Sequence, residues 1–344
     1  MKNAAIFGAS GYTGAEAVRL LLEHPQIRIK ALSANSRAGE AYASVYPHFS
    51  GQDLPETRRI SDIDLNDIDV VFSCLPHSTG QNAIAAALES VETVIDVSAD
   101  FRLSDGQAFE RVYGTPHQHP HLLSGRVYGL TEFARDALPG ARLVACPGCY
   151  PTCTLLALLP GIEAGLIADR HIVVDSKTGV TGAGRKATLG LHFSELSDGS
   201  HAYGIGNHRH APEIEQELRE RDHCSSISFT PHLVPMNRGM ISTCYVELTP
   251  GTTLETLRDS YANRYYADPF VQVATDDSVP QSRHVRGTNL ARIGIYPDRV
   301  EGRAIIVSVI DNLVKGSSGQ ALQNYNLTQG WDETLGLSAT ALFP

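Results

Sequence analysis

Within its first fourteen residues the chain passes from a short apolar strand pattern, Ala4–Gly8, through Gly8-Ala9-Ser10-Gly11-Tyr12-Thr13-Gly14 into a segment of helical spacing, Tyr12–Glu23. Ala15, Val18, Leu21 and Leu22 share one face of that segment. Strand, glycine turn and helix in direct succession open a mononucleotide-binding unit and commit the next strands to a parallel sheet. The glycines permit a tight turn and close approach of backbone to a ligand, and the helix start turns its N–H groups and dipole toward a pyrophosphate. The spacing is G-x-x-G-x-x-G rather than G-x-G-x-x-G, so the structural context carries the assignment more than the pattern does. Cofactor contacts are expected at Gly8, Ser10, Gly11, Tyr12, Thr13 and Gly14.

The next strand pattern, Ile27–Ala34, runs into Asn35-Ser36-Arg37 with no acidic residue. A carboxylate at that point holds the ribose 2′-hydroxyl of NAD. Ser36 and Arg37 suit a 2′-phosphate instead, which predicts NADP(H).

Val70–Cys74, Thr93–Val97 and Arg142–Cys146 read as further strands, with the alanine-rich helix Gln81–Leu88 between the first two. The alternation predicts an α/β fold with a Rossmann-type, doubly wound parallel sheet. After residue 147 the pattern changes. His171–Lys177, Ser226–Val234, Met240–Leu248, Leu290–Tyr296 and Arg303–Ile310 are strand-like, with one helix, Leu254–Arg264, among them. That predicts a second, α+β domain with a mixed or antiparallel sheet. Asn312–Asn326 reads as the last helix. A length of 344 residues accommodates two domains.

A net charge of −10 argues against nucleic acid or an anionic membrane as partner, since both require basic surface. The N-terminus lacks a signal-peptide pattern, and no apolar run approaches the ~18 residues of a membrane span. Six scattered cysteines (74, 146, 149, 153, 224 and 244) do not make a disulfide framework. A reducing, cytoplasmic setting is expected.

One of those cysteines stands out. In Ala145-Cys146-Pro147-Gly148-Cys149-Tyr150-Pro151-Thr152 a thiol follows a Pro-Gly turn and precedes the apolar run Leu155–Leu159. Pro151 is tolerated in a first helical turn. Cys149 is thus expected at a helix N-terminus, an environment that favours the thiolate. A metal site at Cys146, Cys149 and Cys153 would lack a second ligand cluster, so no metal is expected.

Further along, Asn207-His208-Arg209-His210-Ala211-Pro212-Glu213-Ile214 sets two histidines around an arginine just before a helical run that starts at Glu213. Either imidazole could take the thiol proton and later protonate an alkoxide. Lys177–Lys186 is a glycine-rich loop with basic ends, suited to an anionic substrate, and Asp96–Arg102 supplies another arginine.

A nicotinamide cofactor, an activated thiol, a histidine and basic residues together fit hydride transfer to or from a thioester. In Gly8–Gly14, Ser98–Leu103, Tyr128-Gly129-Leu130, Pro147–Thr152, Gly179–Lys186, His208–Ile214, Pro231–Met240 and Asp311–Gln323 the chain resembles the N-acetyl-γ-glutamyl-phosphate reductases of arginine biosynthesis, nearly end to end. These are relatives of the aspartate-semialdehyde dehydrogenases, which share Pro-Gly-Cys. The resemblance implies that Cys149 attacks an acyl phosphate, phosphate leaves, and hydride from NADPH reduces the thioester to N-acetylglutamate semialdehyde.

By the same resemblance His210 or His208 is the acid–base group, with His210 preferred, and backbone N–H groups at the helix start hold the oxyanion. Arg102 would bind phosphate. Arg185 and Lys186 would meet the substrate's anionic ends. Pro76, Gly182 and Asn312 would touch the cofactor. The last helix would rejoin the first domain, giving 1–147 with about 312–344 against 148–311, in a homodimer or homotetramer. The family often has asparagine where this chain has Cys146. A lysine-pathway aminoadipyl-phosphate reductase would share every catalytic feature and differ in its pocket.

Overall fold

A computed structural model describes residues 1–221, 226–274 and 278–342, which leaves Cys224 outside the described residues. The chain divides into two compact units, Met1–Pro147 with Ser317–Leu337, and Gly148–Gly316 with the tail from Ser338.

The first unit is built on seven strands: β1 (Lys2–Phe7), β2 (Ile27–Ser33), β3 (Thr57–Arg58), β4 (Val70–Ser73), β5 (Thr93–Asp96), β6 (Val127–Tyr128) and β7 (Leu143–Ala145). Their order is β3-β2-β1-β4-β5-β7-β6 and every pairing is parallel. The helices are α1 (Tyr12–Leu22), α2 (Tyr42–Val45), α3 (Gln81–Leu88), α4 (Gly106–Tyr113) and α5 (Thr131–Ala134). The central strands β4 and β5 are buried along their whole length and are apolar except for Ser73, Thr93 and Asp96 at their ends, as suits strands covered on both faces. Phe7, Val71, Ile84, Val94, Phe101 and Leu143 meet in one core. The two-residue strands β3 and β6 carry no periodicity long enough to read from sequence, and they lie at the sheet's edges.

The return helix spans Gly319–Thr328. Its Asn324 donates Nδ2 to Gly129 O at 2.8 Å and accepts from Thr131 Oγ1 at 2.7 Å. Gly129 must be glycine, because a Cβ there would lie 2.4 Å from that same amide. The sequence predicted one helix from Asn312. The structure corrects this: residues 314–318 form a wide turn, with Ser317 at φ −159°, ψ −105°, before the helix begins. Asp311 Oδ1 accepts from the N–H groups of Leu313 and Val314 and closes a turn there, and the non-helical backbone of Ser317 separates that turn from the helix that follows. Residues 312–316 accordingly pack in the second unit. The tail from Ser338 does so too, with Leu342 N donating to Arg286 O at 3.0 Å.

The second unit holds β8 (Ile172–Gly179), β9 (His201–Ala202), β10 (Ile227–Val234), β11 (Met240–Glu247), β12 (Val271–Val273), β13 (Ala291–Pro297) and β14 (Arg303–Ile310), in the order β12-β13-β14-β11-β8-β10-β9. The sheet is mixed, with β8/β10 and β12/β13 parallel and the other pairs antiparallel. Its helices are α6 (Cys149–Glu163), α7 (Phe193–Leu196), α8 (His210–Arg219) and α9 (Leu254–Arg264).

Helix α6 is buried on all sides from Tyr150 to Ile162, which suits its apolar sequence. Pro160 inside it cannot donate to Leu156 O, and the Tyr265 hydroxyl donates to that carbonyl instead, at 2.7 Å. Cys153 Sγ lies 3.3 Å from Ser308 O and fixes the helix on β14. Among the described residues no helix is long and apolar enough to cross a membrane.

Candidate active site

The glycine run forms the turn between β1 and α1. Gly8 has φ +81°, and a Cβ on it would lie 2.6 Å from Cys74 O; a Cβ on Gly14 would lie 2.4 Å from Gly8 O. Both positions therefore require glycine. Gly11 does not, since a Cβ there meets only Gly8 O at 3.6 Å. Gly11 caps α1 without a side-chain hydrogen bond, and no acidic residue occupies the first turn.

The outer carbonyls of the turn are spoken for. Tyr42 Oη donates to Ala9 O at 2.8 Å, Tyr46 Oη to Ser10 O at 2.9 Å, and Ser318 Oγ to Thr13 O at 2.8 Å. Tied this way, the turn leaves half-buried Ser10, Gly11, Tyr12 and Thr13 at its surface, a cradle that a dinucleotide pyrophosphate fits. Nothing in the sequence spacing of the two tyrosines links them to the glycine turn.

Ser36 and Arg37 are exposed just beyond β2. Arg37 Nη1 lies 3.2 Å from Glu40 Oε2, an ion pair open to solvent. Pro76 is exposed in the loop after β4, beside the point where Gly8 approaches Cys74. Gly80, in the same loop, donates its N–H to Asp100 Oδ2 at 3.1 Å. Burial, and then the neighbouring charge of Asp100, push the Asp96 carboxyl at the end of β5 up to about 7.

In the second unit Cys149 is the first residue of α6, with Gly148 as its cap in an extended conformation (φ −63°, ψ 157°). The Gly148 N–H donates to Glu213 Oε1 at 2.8 Å, and Glu213 is 1 % exposed. In the first turn of α6 Pro151 has no N–H and Thr152 N is bonded to Gly148 O at 2.9 Å. Behind the thiol, Gly316 must be glycine: a Cβ there would lie 2.8 Å from Cys149 Cβ.

Helix α8 starts at His210 rather than at Glu213, because Pro212 is tolerated in a first turn. His208 and His210 pack edge to face at 4.8 Å, and both contact Tyr150, the residue after Cys149. The backbone N–H of His210 donates to His208 Nδ1 at 3.2 Å. That bond fixes the tautomer: neutral His208 carries its proton on Nε2. Burial, assisted by the Arg209 charge, pushes the His208 imidazole down to about 4, so it is neutral at physiological pH. Tyr203 completes the cluster, its hydroxyl 3.0 Å from that of Tyr150.

Cys149, His208 and His210 all line one cavity of about 610 Å³, together with Tyr203, Arg209 and Gly182. Arg185 and Lys186 lie on the exposed stretch that follows Gly182, where Thr188, Gly190 and Leu191 form cavity wall. Arg209, part of the histidine motif but without a role assigned from sequence, is the arginine that lines the cavity.

Two other expected ligands are held by protein groups. Arg102 is 7 % exposed and donates Nε to Cys146 O at 2.8 Å and Nη2 to Val97 O at 2.9 Å. Asn312 accepts from Gly239 N at 2.8 Å and donates to Thr181 Oγ1 at 3.0 Å. Both carry polar ties within the protein. Cys146 is fully buried beside Asn324, and burial pushes its thiol up to about 12. Among the described residues no cluster of three or more His, Cys, Asp or Glu side chains could hold a metal ion.

Comparison with known proteins adds an independent line. Residues 3–141 match the family described as semialdehyde dehydrogenase, NAD binding domain, and residues 149–312 match semialdehyde dehydrogenase, dimerisation domain. The N-acetyl-gamma-glutamyl-phosphate reductase of Rhodospirillum rubrum is 49 % identical over 347 residues, covering 99 % of each chain. That of Afipia carboxidovorans is 49 % identical over 346 residues, covering 99 % of this chain and 98 % of its own. Among solved structures, aspartate semialdehyde dehydrogenase II from Vibrio cholerae, complexed with ASA, superposes with a TM-score of 0.74 at 18 % identity, covering 95 % of this chain and 98 % of that one. Aspartate semialdehyde dehydrogenase with NADP from Candida albicans gives 0.68 at 17 %, with the same coverage. At those identities the structures speak to fold alone, whereas the full-length relatives speak to descent: the chain belongs to the semialdehyde dehydrogenase family, in its N-acetyl-gamma-glutamyl-phosphate reductase branch.

Proposed function

We propose that the chain reduces N-acetyl-L-glutamyl 5-phosphate to N-acetyl-L-glutamate 5-semialdehyde and phosphate, with NADPH as reductant and Cys149 as nucleophile. The observation that carries this reading is one cavity lined by a thiol at a helix start and by two histidines, one of them locked as a neutral Nε2–H donor.

His210 takes the proton of Cys149 as the sulfur attacks the acyl carbon. The Cys149 and Tyr150 amides, with the His208 Nε2–H, steady the oxyanion. The bond to phosphate breaks and a thioester remains. The hydride that reduces it comes from a nicotinamide cofactor, for which the glycine turn of the first unit is suited. His210 returns its proton to the resulting alkoxide, and later removes it as the carbon–sulfur bond breaks, giving aldehyde and thiolate. Arg209, Arg185 and Lys186 supply positive charge for the phosphate and the one free carboxylate of the substrate in a chain of net charge −10. The match to a dimerisation domain supports a homodimer or homotetramer.

The test runs the reaction backwards, with phosphate, NADP⁺ and either N-acetylglutamate semialdehyde or its one-carbon-longer homologue. Faster turnover of the shorter aldehyde is expected. Equal or faster turnover of the longer one would move the assignment to a lysine-pathway reductase.

Cofactor choice has its own variant. An exposed ion pair such as Arg37–Glu40 is worth little, so Arg37 can exchange Glu40 for a 2′-phosphate at small cost. Arg37→Ala is expected to raise KM for NADPH by about tenfold or more and to leave KM for NADH nearly unchanged. Equal small effects on both would remove Arg37 from the 2′-phosphate site.

A further inference from the structure

We infer that Glu213 is a positioning residue that sets the nucleophile against its acid–base partner, acting through the backbone of Gly148; the inference rests on Cys149 being the nucleophile of the reaction proposed above. Glu213 Oε1 accepts the Gly148 N–H at 2.8 Å, and the carboxylate is 1 % exposed. Gly148 is the residue before Cys149 and the cap of α6, so this bond holds the turn that aims the thiol.

Glu213 lies three residues after His210 on α8, close to one helical turn away and on the same side. One short helix therefore carries the histidine at its first position and, at its fourth, a tether to the turn bearing the sulfur. Movement of α8 relative to α6 would displace both together only while that bond stands. Glycine at 148 makes the tether necessary: without a side chain, and followed by Cys149 at the first helical position, this turn has no side-chain cap of its own. The Gly316 backbone also lies against Cys149, since a Cβ on it would be 2.8 Å from Cys149 Cβ, so the turn has little room to shift in that direction.

The two properties of Glu213, reach and charge, separate experimentally. Glu213→Gln keeps the length and a carbonyl acceptor and loses the charge. Glu213→Asp keeps the charge and draws the acceptor back by one methylene. Glu213→Leu removes both. The tether predicts that Glu213→Gln retains most of kcat. Glu213→Asp and Glu213→Leu should each lose about 100-fold in kcat, the scale of a misplacement near 1 Å, with KM for NADPH unchanged.

A second readout does not depend on the substrate. The pH profile of Cys149 alkylation by iodoacetamide, followed by intact mass, should match wild type in Glu213→Gln and shift in Glu213→Asp. If Glu213→Leu fails to fold, the Asp and Gln variants decide. Slow Glu213→Gln with active Glu213→Asp would overturn the tether, since charge and not reach would then matter; wild-type kcat in all three would overturn it as well. Should the wild-type protein not turn over the acyl phosphate at all, the proposed function fails, and the alkylation profiles still judge the tether.

Discussion

Cys149→Ser is expected to lower turnover of the acyl phosphate by at least about 10⁴-fold while NADPH binding, followed by nicotinamide fluorescence, stays at the wild-type level. The substitution changes one atom and leaves the surroundings in place: the Gly148–Glu213 bond, the Gly316 backbone and the first-turn amides do not involve the sulfur. What changes is chemistry. A serine hydroxyl is not ionised near neutral pH, an oxygen ester accepts hydride far less readily than a thioester, and an alkoxide is a poor leaving group when the adduct collapses. A serine variant with full activity would contradict covalent catalysis at this position.

The second large effect separates the two histidines. His210→Asn is expected to cost about 10²–10⁴-fold in kcat and to remove the acid limb of the kcat/KM profile. His208→Asn should cost less and leave the shape of that profile intact. The difference lies in the His208 tautomer. Its Nδ1 is committed to the His210 N–H, and burial holds the ring's pKa at about 4. Such a ring is neutral throughout the range in which the enzyme would be assayed, and on the proposed mechanism it would meet the substrate as an N–H donor and not as a base. As the pH falls from about 8 to about 5, His208 therefore stays neutral, and the loss of rate must report another group. A profile whose acid limb disappears in His208→Asn, and survives in His210→Asn, would reverse the roles.

Much of the site was legible in local sequence because its chemistry is local. Gly8 and Gly14 are glycines for steric reasons that a strand–turn–helix context announces. Pro-Gly before Cys149 and Pro151 after it describe a helix start without coordinates. The α/β alternation of the first 147 residues is similarly local, since the central strands β4 and β5 are buried on both faces and mostly apolar. Contacts between distant segments could not be read. Glu213 reaches Gly148 across 65 residues, and Tyr42 and Tyr46 reach the cofactor turn across 33 and 36. The three-residue spacing of His210 and Glu213 was visible, but not the surface it faced.

Arg102 shows a tie of the same long-range kind: its Nε and Nη2 hold the Cys146 and Val97 carbonyls at the ends of buried strands, bonds that nothing in the local sequence announces. Cys146 itself is fully buried just after β7, and nothing in the structure assigns its thiol a role. The last helix was begun too early because its apolar spacing does not disclose the non-helical backbone at Ser317 that interrupts it.

The central claim is that Cys149 carries the acyl group. Mixing the enzyme with N-acetyl-L-glutamyl 5-phosphate in the absence of NADPH and taking the intact mass at once tests it most directly. The account predicts one added N-acetylglutamyl group per chain, mapped by peptide digestion to Cys149 and discharged as the semialdehyde when NADPH is supplied. An unmodified Cys149 under conditions of full turnover, or the acyl group on another residue, would contradict it.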